Sequence, residues 1–173
     1  MNTLMIYSSV DGQTLKICNF LQKELLNLKQ KIDLFSIDDF NKDLKQYDKI
    51  IIGSSIRYGV HNEKIIELIN THKTILDTKK TAFFSVNLVA RKPAKNKPNT
   101  NPYVIKFFKK IDWKPTIVEV FAGKLDYNKY GLFDRIMIQF IMWMTKGPTD
   151  TNTEIEYTNW NHVKGFALKL KDL

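Results

Sequence analysis

The sequence predicts an α/β fold built on a parallel sheet of five strands with helices on both faces. Short apolar runs alternate along the chain with segments of helical periodicity, which is the pattern of strand–helix–strand units. The apolar runs at residues 4–7 and 50–52 are continuous, as expected for strands buried on both sides. At 173 residues, 43% of them hydrophobic, the chain is long enough for a full core. We expect a single domain spanning residues 1–173.

The order of the elements indicates how the sheet is wound. The predicted strands lie at residues 4–7, 32–37, 50–52, 82–86 and 117–121. The predicted helices lie at residues 15–28, 62–76, 102–111 and 160–170. The second strand is the most polar and is predicted at a sheet edge. Five strands with four crossovers fit the doubly wound, flavodoxin-like order 2-1-3-4-5 better than the six-stranded dinucleotide fold.

A helical insertion, at approximately residues 123–152, follows the fifth strand. It contains residues 132–144, of which ten of thirteen are apolar. A helix of that length is about 20 Å long and cannot cross a hydrocarbon core of about 30 Å. On a helical wheel one half of the circumference is predicted to pack on the domain: Phe133, Ile136, Met137, Phe140, Ile141, Trp143 and Met144. Ile138 and Met142 fall on the opposite side and are predicted to be exposed for peripheral membrane contact.

The chain is strongly basic, with a formal net charge of +9. Between Ser85 and Pro115 the only acid, Asp112, accompanies eight basic residues: Arg91, Lys92, Lys95, Lys97, Lys106, Lys109, Lys110 and Lys114. This concentration suggests an anionic small molecule, anionic lipid or nucleic acid, or a merely solvated basic face. Nucleic acid is disfavoured, because the aromatic residues of the segment fall mostly at helical core spacing.

The cysteine and histidine residues of the chain do not form a recognisable metal-binding pattern. Cys18 is the only cysteine and lies among apolar neighbours, so it is predicted to be a small buried hydrophobe of a reducing compartment. His61, His72 and His162 lack metal-ligand spacing and are predicted to be surface or capping residues.

The first strand leads into SSVDGQT, residues 8–14, and then directly into a helix. Ser8, Ser9 and Thr14 offer hydroxyls, Gly12 permits close backbone approach, and a helix N-terminus presents unpaired N–H groups. The stretch is therefore either a phosphate cradle or an ordinary capped turn. It lacks the lysine of a P-loop and the G-x-G-x-x-G pattern, so a nucleotide triphosphate or a dinucleotide is not expected.

Two further loops converge on the same crevice in this fold. The third strand ends in IGSSIRYG, residues 52–59, and the fourth in FFSVNLVARKP, residues 83–93. Tyr58 can stack on a planar ring while the backbone at Gly59 approaches the ring edge. A phosphate on the first loop and a flat ring between the other two describe flavin mononucleotide (FMN).

At these residues the chain resembles the HemG-type menaquinone-dependent protoporphyrinogen IX dehydrogenases, a bacterial family of haem synthesis within the flavodoxin superfamily. The matching stretches occur in order over nearly the whole chain: SSVDGQT, IGSSIRYG, SVNLVARKP, AGKLDYNKYGLFDRIM, PTDT and YTNW. The first is shared with many flavodoxins, whereas SVNLVARK and YGLFDRIM are more specific. Lys146-Gly147 departs from the Gly-Gly expected in this family.

The resemblance implies FMN-dependent oxidation of protoporphyrinogen IX to protoporphyrin IX, with electrons passed to menaquinone or ubiquinone. It also implies a peripheral location on the cytoplasmic face of the bacterial inner membrane. The residues implied in FMN binding are Ser9, Val10, Asp11, Gly12, Gln13, Thr14, Ser55, Ile56, Arg57, Tyr58, Gly59, Phe84, Ser85, Val86, Asn87, Leu88, Val89, Asp150, Thr151 and Asn152.

Three basic residues are predicted to lie near the flavin: Arg57, Arg91 and Lys92. The substrate carries two propionates, and arginine can bind a carboxylate through two parallel hydrogen bonds. Alternatively, Arg91 and its lysine neighbours attract anionic lipid headgroups. No residue is assigned as a general acid or base.

Two other functions remain open at this point. One is a flavodoxin-type electron carrier and the other is a different FMN-dependent quinone reductase. Such carriers are commonly acidic, so a net charge of +9 argues against the first. The sequence leaves the quinone and the oligomeric state undetermined.

Overall fold

The computed structural model describes residues 1–173 and contains one main sheet. Its strands are β1 (Thr3–Ser8), β2 (Ile32–Ser36), β3 (Lys49–Arg57), β4 (Val60–His61), β5 (Lys80–Asn87) and β6 (Ile117–Ala122). Five of them are parallel in the order β2-β1-β3-β5-β6, and β4 pairs antiparallel with the end of β3. The predicted order of five parallel strands is confirmed, with the polar strand β2 at an edge.

The helices alternate with these strands as predicted. They are α1 (Gln13–Asn27), α2 (Glu63–Thr71), α3 (Lys73–Leu76), α4 (Pro102–Phe108), α5 (Leu132–Met144) and α6 (Trp160–Asp172). The segment after β6 also forms a small antiparallel pair, β7 (Lys124–Asp126) and β8 (Glu154–Glu156). None of the helices is long and apolar enough to span a bilayer.

The sheet buries apolar residues on both faces, which explains the continuous apolar runs of its strands. One core packs Met5, Ile51 and Phe84 against α1 and α6, and it includes the fully buried Cys18. The other core packs Ile6, Ile52 and Phe83 against α2 and α4, in strand positions that alternate with the first set. The predicted burial of Cys18 is therefore confirmed.

β3 is longer than the sequence predicted, because the strand does not stop at Gly53. It runs to Arg57 and turns through Tyr58 and Gly59 into β4, with Arg57 paired to Val60. Both turn residues have positive φ, 50° and 77°, as a two-residue type I′ hairpin requires. The sequence did not predict this extension because residues 54–57 are mostly polar. They can be polar within a strand because this end of β3 borders a cavity rather than the core.

The orientation predicted for α5 is wrong. Met142, predicted to be exposed, is 0% exposed and packs with Leu125, Tyr127 and Tyr130, while Ile138 packs partly buried against the same cluster. The residues that face outward are Leu132, Phe133, Ile136, Phe140, Trp143 and Met144. A helical wheel shows which residues share a face, but it does not show which face meets the protein. The wider apolar face was assumed to be the packed one.

The C-terminal end of α5 is fixed by backbone and side-chain contacts. Lys146 adopts the left-handed conformation, with φ of 53°, and the Gly147 N–H donates to the Met142 carbonyl at 2.7 Å. These are features of a helix end closed by a left-handed residue, here a lysine. Arg91 donates to the Thr145 hydroxyl at 2.7 Å, which ties the end of α5 to the loop after β5.

The close contact between β3 and β5 gives a stability prediction. A Cβ added at Gly53 would lie 2.3 Å from the Phe84 ring, so Gly53→Ala should destabilise the protein by about 1–3 kcal/mol through overpacking. Gly165, inside α6, has open space around it, and Gly165→Ala should stabilise by about 0.5–1 kcal/mol. Urea unfolding of both variants checks the opposite signs. Equal effects would contradict the packing account.

Candidate functional site

A cavity opens at the carboxyl ends of β1, β3 and β5 and is walled on one side by α5. Its empty volume is about 900 Å³, which includes space open to solvent. The residues predicted from the three loops that line it are Ser9, Asp11, Gln13, Thr14, Ser55, Ile56, Arg57, Tyr58, Gly59, Val86, Asn87, Leu88 and Val89. The structure thus brings the three predicted loops together around one space.

The other residues predicted to bind the cofactor do not line this cavity. The side chain of Val10 is exposed, and Gly12 shapes the backbone of the loop without contributing to the wall. Phe84 and Ser85 are fully buried in the sheet, because the Phe84 ring covers Gly53 and Ser85 points toward His61. Residues 150–152 form a separate turn, in which the Asp150 carboxylate accepts from the Asn152 N–H at 3.0 Å.

Of the three predicted substrate contacts, only Arg57 lines the cavity. The Arg91 guanidinium donates to the Leu88 carbonyl at 2.9 Å and to Thr145, so its hydrogen-bonding groups are engaged in holding α5. Lys92 follows it at the end of a short helical turn and is half-buried outside the lining.

Sequence reasoning missed several lining residues: Tyr103, Gly123, Lys124, Tyr130, Asp134, Met137, Ile138 and Ile141. Most belong to the segment after β6, where only residues 150–152 were predicted to bind the cofactor. The apolar face of α5 could have indicated Met137 and Ile141. Asp134 and Tyr130 carry no sequence signal of their own, since their role depends on a long-range contact.

The first loop leaves donors free at the N-terminus of α1. Gly12 precedes the helix with φ of 88° and has no side chain that could cap it. The Thr14 hydroxyl is buried without a hydrogen-bond partner, whereas the Ser9 hydroxyl accepts from the Leu15 N–H at 3.5 Å. Unpaired donors at a helix N-terminus form an anion-binding site.

A charged cluster lies across the mouth of the cavity. Arg57 lies 3.5 Å from the Asp11 carboxylate and forms an ion pair with Asp134, which also accepts from the Tyr58 hydroxyl. Burial raises the pKa of Asp11, although the neighbouring Arg57 opposes that rise. The cluster joins the first loop, the β3–β4 hairpin and α5, which are three of the four segments around the cavity.

A buried polar network supports the loop after β5. The Ser85 hydroxyl lies 2.9 Å from His61 Nε2 and accepts from the Asn87 amide at 3.1 Å. The Asn87 carbonyl oxygen in turn accepts from Asn101 at 3.1 Å. The prediction that His61 lies on the surface is wrong, because its ring packs between Phe83 and Phe107. Burial lowers the pKa of His61 to about 3, which keeps the ring neutral.

The fold and the cavity define a flavodoxin-like protein, and comparison with known proteins agrees. The family model described as a flavodoxin domain matches residues 4–152. Among solved structures, oxidised flavodoxin 1 from Bacillus cereus aligns over 99% of this chain and 98% of its own, with a TM-score of 0.58 and 15% identity. Flavodoxin 2 from the same organism aligns over 99% of both chains with a TM-score of 0.57 and 15% identity.

Sequence identity to two other proteins is much higher than to these flavodoxins and indicates a particular family within the flavodoxin-like class. Protoporphyrinogen IX dehydrogenase (quinone) of Escherichia coli K12 is 41% identical over 100% of this chain and 96% of its own length. The enzyme of the same name from Leishmania major is 44% identical over 95% of this chain and 72% of its own. The chain belongs to the protoporphyrinogen IX dehydrogenase (quinone) family, and it is an oxidoreductase.

The neutral, buried His61 predicts a pH dependence of stability. Its folded pKa is lowered to about 3 from an ordinary value of 6.5, so the unfolded chain binds a proton first as pH falls. Stability is therefore fully present above pH 6.5 and is lost as pH falls toward the folded pKa. Between about pH 7 and pH 5 the wild type should lose about 2 kcal/mol more than His61→Gln.

Urea unfolding of both proteins at several pH values measures this difference. Parallel curves for wild type and His61→Gln would show that His61 takes up its proton equally in both states and would contradict the buried neutral ring.

Proposed function

We propose that this protein uses FMN to oxidise protoporphyrinogen IX to protoporphyrin IX and passes the electrons to a membrane quinone. The observation that carries the proposal is 41% identity over the full chain to an enzyme named for this reaction. A cavity of about 900 Å³ at the carboxyl ends of the parallel strands supports it, because doubly wound folds bind their ligands there. This reaction would be a step of haem biosynthesis.

The residues of the first loop fit the phosphate of FMN. The Thr14 hydroxyl is buried without a partner, and Gly12 at the N-terminus of α1 has no side chain that could cap the helix. A phosphate bound there would accept from Thr14 and from the first N–H groups of α1, with Ser9 at the side of the loop.

The rest of the cavity suits a planar, largely apolar ring. Tyr58 and Ile56 come from the β3–β4 hairpin, Leu88 and Val89 from the loop after β5, and Met137 from α5. When bound, FMN would supply the redox chemistry: it would accept electrons from the porphyrinogen two at a time, six in all, and pass each pair to the quinone before the next. The chain would position the two molecules and exclude water between them.

We assign no general base at the site. Asp11 and Asp134 both lie against Arg57, and His61 is buried away from the cavity lining with a lowered pKa. The protein therefore contributes binding and orientation, and the protons released from the porphyrinogen pass to solvent.

The outward face of α5 supports a peripheral position on the membrane that holds the quinone. Phe133 and Trp143 are 68% and 70% exposed, and Ile136, Phe140 and Met144 lie beside them. Exposed apolar faces of this kind mark interaction surfaces. Lys129 and Lys146 are exposed near the two ends of the helix, and the net charge of +9 complements anionic headgroups. We place the protein on the cytoplasmic face of the bacterial inner membrane.

An anaerobic turnover assay tests the proposed reaction and distinguishes it from the activity of a flavodoxin-type electron carrier. Purified protein supplied with FMN and protoporphyrinogen IX should form fluorescent protoporphyrin IX only when menaquinone or ubiquinone in vesicles is added. A carrier would exchange electrons with a reductase while leaving the porphyrinogen unchanged, and that result would overturn the proposal.

The unpartnered Thr14 hydroxyl gives a prediction for cofactor binding. Thr14→Val should weaken FMN binding about tenfold, because a charge-assisted hydrogen bond to phosphate is lost. Thr3→Val is the matched control, since the Thr3 hydroxyl is also buried and unpartnered but lies at the other end of β1. FMN fluorescence titration measures both. Equal affinity in Thr14→Val and Thr3→Val would exclude Thr14 as a phosphate ligand.

The exposed face of α5 gives a prediction for membrane binding. The double variant Phe140→Glu with Trp143→Glu should bind anionic vesicles at least about tenfold more weakly, because two large apolar side chains no longer enter the interface. Leu168→Glu on α6 is the control, as Leu168 is also exposed and apolar. Vesicle sedimentation with retained FMN absorbance is the measurement. Undiminished sedimentation of the double variant would mean that α5 does not touch lipid.

A further inference from the structure

Two donors at the mouth of the cavity converge on a single carboxylate. The Arg57 guanidinium donates to one oxygen of Asp134, and the Tyr58 hydroxyl donates to the other. The Arg57 guanidinium also lies 5.2 Å from the centre of the Tyr58 ring, which keeps the two donors side by side. Arginine and a hydroxyl that engage both oxygens of one carboxylate form a complete carboxylate receptor.

The receptor is carried by a rigid part of the fold. Arg57 is the last residue of β3 and pairs with Val60 across the hairpin. Tyr58 is the first turn residue, with φ of 50° in a two-residue turn. The backbone positions of both residues are therefore set by the hairpin, which directs their side chains toward the same cavity.

Asp134, in contrast, lies on a separate element, α5. It lies in the first turn of α5, where Gly131 provides no side-chain cap. The fixed end of α5 is the other one, where Met142 is buried and Thr145 accepts from Arg91. At the first turn the contacts to the hairpin are those of Asp134 and an edge contact between Phe133 and Tyr58 at 6.4 Å.

We propose that Arg57 and Tyr58 form the subsite for a propionate of the porphyrinogen and that Asp134 occupies it as an internal competitor which the substrate displaces. The inference rests on the proposed function, since it takes the substrate from there. All three side chains line the cavity, so a carboxylate entering it reaches the receptor directly. Release of Asp134 frees the first turn of α5, so that substrate entry and the position of this helix are coupled.

Asp11 does not replace Asp134 in this role. Its carboxylate lies 3.5 Å from Arg57 and makes no hydrogen bond with Tyr58. It balances the charge of Arg57 whether Asp134 or a propionate holds the other side. The exchange thus replaces one carboxylate on Arg57 by another, so that the guanidinium stays paired throughout.

Equilibrium binding of the product tests the subsite without turnover. Protoporphyrin IX carries the same two propionates as the substrate, and its dimethyl ester carries no charge. Asp134→Asn should bind the diacid about threefold more tightly, because the competing charge is removed. Arg57→Met should bind it about tenfold more weakly. Neither variant should change the affinity for the ester. Quenching of protein fluorescence gives the dissociation constants.

Asp112→Asn and Lys109→Met are matched controls for the change in charge. Both residues are exposed and lie ahead of β6, at the opposite end of the sheet from the cavity. Unchanged diacid affinity in Asp134→Asn would overturn the competition, and equal shifts for diacid and ester would show a merely structural effect. If wild type turns over protoporphyrinogen while Arg57→Met keeps its diacid affinity, the subsite is wrong and the proposed function stands. If the wild type does not turn over protoporphyrinogen, both the subsite and the proposed function are contradicted.

Discussion

Met142 packs fully buried against Leu125, Tyr127 and Tyr130, and this contact fixes the rotation of α5 about its axis. A helix that is apolar nearly all round has no single preferred face by composition, so one buried anchor decides which residues point where. With Met142 inward, Met137 and Ile141 form the wall of the cavity and Phe140 and Trp143 face outward. One helix thus separates a ligand site from an exposed apolar surface.

The cavity itself follows from the parallel sheet, whose carboxyl ends lie at one edge. Each strand brings a different chemistry to that edge. β1 leads into a helix N-terminus with a free Thr14 hydroxyl, β3 into the Arg57–Tyr58 hairpin, and β5 into a loop held from below by the Ser85–His61 network. An anion site, a carboxylate receptor and an apolar slot therefore border a single volume, as a flavin and a dicarboxylic porphyrinogen require.

Periodicity and turn chemistry predicted the order of strands and helices, the edge position of β2 and the convergence of three loops, because each depends on residues close in sequence. The predictions were wrong or incomplete where a contact between distant segments decides the local structure. Residues 54–57 are mostly polar, yet they form the end of β3 because a cavity lies beside them. Asp134 meets Arg57 across 77 positions of the chain, and His61 becomes a core residue only when Phe83 and Phe107 enclose it. Such contacts leave no local pattern.

The central claim is that the bound flavin takes electrons from the porphyrinogen and gives them to a quinone. Rapid anaerobic mixing of the FMN-loaded protein with protoporphyrinogen IX, followed by flavin absorbance and porphyrin fluorescence together, tests it most directly. Oxidation to the porphyrin removes six electrons and each flavin accepts two, so with at least three FMN-loaded proteins per porphyrinogen we predict that flavin absorbance is bleached as porphyrin fluorescence rises, and that menaquinone in vesicles restores the absorbance. Flavin that stays oxidised while porphyrinogen remains unchanged would contradict it.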